Sequence, residues 1–90
     1  MAKPIDAQTL AKARTQCPCV LDRLADTGMS DELIAVKMSD YLAGTNPSVQ
    51  SLARWRKGSS IPNRANGAAL VHLYEETFGP IEDDLWENTS

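Results

Sequence analysis

Ninety residues, 42% of them apolar and five aromatic, suit one small globular domain near the lower size at which a single core folds unaided. No apolar run approaches the roughly 20 residues needed to span a bilayer, and residues 1–14 lack the apolar stretch of a signal peptide, so a cytoplasmic setting is expected. The formal net charge of −3 argues against a nucleic-acid partner only as a whole-chain sum, because the charges are unevenly placed.

Helix punctuation is the clearest signal along the chain. Residues 6–16 read as a first helix, with Asp6 as a candidate cap and Ala7, Leu10 and Ala11, with Ala13 as a further candidate, as a thin apolar face. Pro18 suits the first turn of a second helix, where its missing N–H costs nothing. Val20, Leu21, Leu24 and Ala25 follow at helical spacing, and Gly28 stops it. Ser30 is a good cap for a third helix over 31–43, with Asp31 and Glu32 complementing its dipole and Met29 placed to staple onto Ile34. Its inward positions are Ile34, Met38, Tyr41 and Leu42, and Gly44 ends it. Residues 45–48 form a turn, in which either Asn46, with Pro47 following at the first helical position, or Ser48 caps the next helix.

That fourth helix is short, with Val49, Leu52 and Ala53 facing inward and Trp55 as a further candidate. Lys57-Gly58-Ser59-Ser60-Ile61-Pro62 stops it. A last helix spans about 65–78, with Ala69, Leu70, Leu73, Tyr74 and Thr77 on one face and Gly79-Pro80 as its end. No stretch alternates as a strand with hairpin turns. The expected architecture is therefore an all-α compact bundle of about five helices, residues 1–79, followed by a short acidic C-terminal tail, residues 80–90.

All nine Lys and Arg residues lie at or before Arg64, against six acids, which leaves that part at +3. Residues 65–90 carry six acids and no base. Between Leu52 and Ala65 stand Arg54, Arg56, Lys57 and Arg64 with no acid among them. Such a run suits either a nucleic-acid footprint or the C-terminal end of a solvated helix. Cys17-Pro18-Cys19 offers two thiols, with His72 as the only further soft ligand, whereas a structural zinc site takes four. Plain buried or half-buried thiols are the expectation, ahead of a redox role, and His72 is expected to be structural or solvated. Paired catalytic carboxylates, a nucleophile with its base and a glycine-rich phosphate cradle are all missing, so no catalytic residue, metal, cofactor or small-molecule substrate is assigned.

The informative segment runs from Gly28 to Pro62: a helix, a turn, and a short helix with Gln, Ser and Arg outside. An α-helix fits the major groove, where Gln pairs bidentately with adenine and Arg with guanine. Gly28-Met-Ser-Asp-Glu-Leu-Ile-Ala35 resembles the opening of the Cro and phage-repressor (lambda-repressor-like) helix-turn-helix, with Ile34-Ala35 matching a Leu-Ala pair. Residues 48–62 resemble its recognition helix and following loop, through Leu52, Trp55, Gly58 and Pro62. The resemblance covers roughly residues 17–79.

That resemblance implies a bacterial or phage-encoded transcriptional regulator that binds operator DNA, commonly as a homodimer, in the cytoplasm or nucleoid. By position, Ser48, Gln50, Ser51 and Arg54 match the base-facing residues, and Lys57, Ser59 and Arg64 the phosphate-facing ones. Two departures stand out. The interval from Ala35 to Trp55 is about seven residues longer than in the family, close to two helical turns, which a lengthened third helix would absorb. Asp31 and Glu32 lie where members often offer a phosphate-binding side chain. The acids at 31–32 and in the tail favour an alternative, a protein-interaction module such as an antirepressor, an antitoxin or a factor binding RNA polymerase. For the dimer contact, the last helix or Leu85 and Trp86 supply the candidate apolar patch.

Overall fold

The computed structural model describes residues 5–42, 47–81 and 84–87, the last segment without the side chains of residues 84 and 87. Among them the chain is all-helical: α1 (Ala7–Thr15), α2 (Cys17–Asp26), α3 (Asp31–Ser39), α4 (Val49–Lys57), α5 (Arg64–Phe78) and a single turn, α6 (Asp84–Glu87). The expected bundle of about five helices is what the chain forms. No helix among the described residues is long and apolar enough to cross a membrane.

Side-chain caps set the helix starts. Asp6 accepts from the amides of Gln8 and Thr9, Ser30 from Leu33, Ser48 from Ser51, and Asn63 from Asn66. Each satisfies one or two of the amides that a helix N-terminus leaves without a partner. Of the two candidate caps before α4, Ser48 is the one used, while Pro47 is buried just ahead of it. The chain leaves α2, α4 and α5 through Gly28, Gly58 and Gly79, all at positive φ. At Gly58 (φ 79°) the amides of Gly58 and Ser59 return to the carbonyls of Trp55 and Arg54, at 3.1 and 3.0 Å. This crossed pair closes α4 within one turn.

The core is one cluster. Cys17, Val20, Leu21 and Leu24 of α2 meet Ile34, Ala35 and Met38 of α3, Leu52 and Trp55 of α4, and the inner face of α5. Helix α5 packs against α1, α2 and α3, while α4 packs against α2 and α3. At 90 residues this supplies a continuous apolar interior, the dominant favourable contribution to folding.

Four expectations are corrected. Helix α3 ends at Ser39 rather than at 43. The amides of Asp40, Tyr41 and Leu42 turn back to carbonyls three residues earlier, and Ser39 Oγ donates to Val36. This tightening swings Tyr41 outward to stack on His72 with ring centroids 5.3 Å apart, while Leu42 still packs on the core. The extension proposed for residues 40–43 is therefore a tight turn through Leu42, and residues 43–46 lie outside the described residues. In α1, Ala7 and Ala11 are exposed, and the inward residue is Ala13, because α1 meets α5 through the side of Leu10 and Arg14. In α4, Val49 is 42% exposed: at 100° per residue it lies about 90° from the Leu52–Trp55 direction. Finally, the acidic stretch after Pro80 is not an appendage throughout, since Leu85 and Trp86 are buried in the common core and α6 packs on α2. Their burial removes both from the candidate dimer surface.

Candidate nucleic-acid interface

Helix α4 has two unlike sides. Leu52 is fully buried and Trp55 nearly so, which fixes the inward direction. At 100° per residue, Gln50, Arg54 and Lys57 fall within about 60° of one another on the opposite side. All three are exposed. Ser59 follows the Gly58 turn and is exposed, as is Arg64, the first residue of α5 after its Asn63 cap. Thus α4, the loop and the start of α5 carry Gln50, Arg54, Lys57, Ser59 and Arg64 with no acid among them.

Ser48 and Ser51 sit differently from these. Ser48 Oγ accepts from the Ser51 amide at 3.1 Å and lies 3.1 Å from Ser51 Oγ, and Ser51 is half-buried. Both hydroxyls are engaged in holding the helix start, whereas Gln50 and Arg54 are exposed with no side-chain partner among the described residues.

Arg56, in the same basic run, points elsewhere. Its Nη2 lies 2.8 Å from Asp31 Oδ1 in the first turn of α3, and its Nε lies 3.9 Å from Asp22 Oδ1 on α2. Asp31 Oδ1, Arg56 Nη2 and Arg56 Nε are buried and lack aligned hydrogen bonds, so the contact acts by charge. The pair ties α4 to α3 and compensates one of the two acids that departed from the resemblance. Glu32 beside it is exposed. The pairing of Arg56 with Asp31 and Asp22 was not read from the sequence; acids 25 and 34 positions away carry no local spacing signal.

The C-terminal half of α4 is also fixed from α2. Cys17 is buried, and its Sγ donates to the Trp55 carbonyl at 3.4 Å. Burial pushes the Cys17 thiol up to about 11, so it stays protonated and keeps this donor at neutral pH. Burial also raises the half-exposed Cys19, with the Asp22 charge adding to the effect. Both thiols are free, and neither carries the lowered pKa of a reactive thiolate. No group of three or more His, Cys, Asp or Glu side chains able to hold a metal occurs among the described residues.

A concave site of about 190 Å³ lies away from α4, between the start of α1 and the end of α5, lined by Asp6, Thr9, Glu75 and apolar neighbours. It has two carboxylates and no cation. Compared with protein families, curated proteins and solved structures, the chain finds no match in any of the three.

Proposed function

We propose that the protein is a sequence-specific double-stranded DNA-binding regulator that reads the major groove with α4. The observation that carries this reading is the outward face of α4: Gln50 and Arg54, one helical turn apart and fully clear of the core, with Lys57 beside them. Gln and Arg are the side chains whose paired donors and acceptors match adenine and guanine edges, and a helix of this length fits the groove. Lys57, Ser59 and Arg64 flank the reader and suit phosphate contacts, which fix register. The Arg56–Asp31 pair supports the reading further, since it leaves less uncompensated acid beside this face.

One short helix reads only a few base pairs, so we propose a homodimer on DNA. Two copies on half-sites one DNA turn apart, ~34 Å, would supply the missing readout. With Leu85 and Trp86 buried, Phe78 at the end of α5, 43% exposed, is the apolar side chain of the last helix left for such a contact. Fluorescence-anisotropy titration of duplexes from the gene's own neighbourhood against increasing salt tests the function. Affinity should fall steeply with salt and differ between sequences.

A second reading, a protein-interaction module, is favoured by α3. Leu33 and Val36 are 42% and 59% exposed on its outer side, next to exposed Glu32. Binding that is indifferent to duplex DNA at low salt would put this reading first.

A further inference from the structure

Arg14 stands on α1, far in sequence from α4, yet its Nε donates to the Pro62 carbonyl at 3.0 Å. Pro62 is buried and closes the loop that runs from Ser59 to the Asn63 cap and Arg64. The stem of Arg14 is fixed as well. It crosses Gly67 of α5, where an added Cβ would stand 2.7 Å from Arg14 Cγ and 3.4 Å from Cδ. Glycine within a helix weakens it, and what this one supplies is room for the arginine. Leu10, one helical turn before Arg14 on α1, packs 3.3 Å from the same point.

The guanidinium is thus tied at Nε only. Its terminal nitrogens make no hydrogen bond or ion pair among the described residues, and Arg14 is half-buried rather than enclosed. Arg56 is the opposite case, with Nε and Nη2 buried toward carboxylates. A cation whose stem is packed on α5, held at Nε and unpaired at its forked end beside the Ser59–Arg64 loop, matches what a phosphate diester requires. Arginine donates two parallel N–H groups to such an oxygen pair, and its pre-organisation reduces the ordering cost of the contact.

We infer that Arg14 is a further phosphate ligand, extending the nucleic-acid face from α4 and its loop onto α1. This rests on the DNA reading above. Binding of wild-type protein, Arg14→Gln and Arg14→Lys to a random-sequence duplex, measured by anisotropy over a range of KCl concentrations, tests it. Arg14→Gln should lower the slope of log affinity against log salt by about one unit, and weaken all sequences alike. Arg14→Lys should keep the slope. An unchanged slope in a folded Arg14→Gln overturns the assignment and leaves the DNA reading standing, whereas wild-type protein without salt-dependent duplex binding overturns both. Should Arg14→Gln not fold, phenylglyoxal labelling of the wild-type protein replaces it. Duplex protection of Arg14 that disappears at high salt supports the assignment, and equal labelling with and without duplex overturns it.

Discussion

Replacing Arg56 with alanine separates the basic residues proposed to face DNA from the one that holds the fold. Arg56 and Asp31 keep 33% and 21% of their side-chain exposure, while Asp22 keeps 70%. Exposed ion pairs contribute about 0–1 kcal/mol, which describes the 3.9 Å contact to Asp22. Removing one partner of a fully buried pair costs about 3–5 kcal/mol, because the other charge is left without compensation. The Arg56–Asp31 contact lies between these limits, and the N-terminal dipole of α3 still favours the Asp31 carboxylate once Arg56 is gone. An expected loss of about 1–3 kcal/mol follows. For a domain of this size each kcal/mol lowers the melting temperature by roughly 4–8 °C. The assay pairs a thermal melt followed by circular dichroism with a salt titration of duplex binding. Arg56→Ala should melt earlier and keep the wild-type salt slope when measured below its transition. Lower slope by about one unit with an unchanged melt would refute the reasoning, since Arg56 would then be reaching phosphates rather than Asp31.

Gln50→Ala and Arg54→Ala should each weaken specific binding about tenfold or more and relax sequence preference at different operator positions, with unchanged melts. Lys57→Ala should weaken all duplexes alike and lower the salt slope by about one unit, as read by the same anisotropy titration. Trp86→Ala should cost about 3–5 kcal/mol in urea denaturation, since Trp86 is only 7% exposed. Neutralising Glu82 and Asp83 together in the full chain should raise affinity for random duplex, more at low salt than at high, because two negative charges that repel the duplex are then removed. The Cys17 thiol, pushed up to about 11 by burial against about 9 when unfolded, keeps its proton while the unfolded chain loses its own. Stability should therefore fall as pH rises through that window, by up to about 3 kcal/mol, and denaturation of Cys17→Ala should lack this component.

The starts of α1, α2 and α3 and the end of α4 were legible because each carries its own local device: Asp6, Pro18, Ser30 and Gly58 act within a turn of where they stand. The split of α4 was legible in part: Leu52 inside and Gln50 and Arg54 outside follow from period, whereas Trp55 was only a further candidate and Val49, placed inside, is exposed. The end of α3 was not legible, because Tyr41 and Leu42 fit the helical pattern. The helix instead tightens after Ser39, and the partner that receives Tyr41, His72 of α5, stands 31 positions away and carries no local signal. The acidic composition after Pro80 hid the two core residues among its charges. Arg14 was equally hidden, since its partners Pro62 and Gly67 lie about 50 residues away and a helix-interior glycine shows only that something approaches closely.

The long interval between α3 and α4 bears on how α4 keeps its pose. In a helix-turn-helix with a short turn, the covalent connection itself restricts the angle between the two helices. Here residues 40–48 intervene, and a connection of that length imposes little: doubling a loop changes its closure entropy by only about 0.6 kcal/mol. The angle must therefore come from contacts, and α4 is held at three points along its length. Leu52 and Trp55 insert into the core that α2 and α3 share. Cys17 donates to the Trp55 carbonyl from α2, at the point where the Gly58 turn also closes. Arg56 reaches Asp31 at the start of α3. These three lie on one side of α4, so they restrict both its rotation about its axis and its tilt, and rotation decides whether Gln50 and Arg54 face outward. Arg56 and Asp31 thereby do across space what a short turn does along the chain.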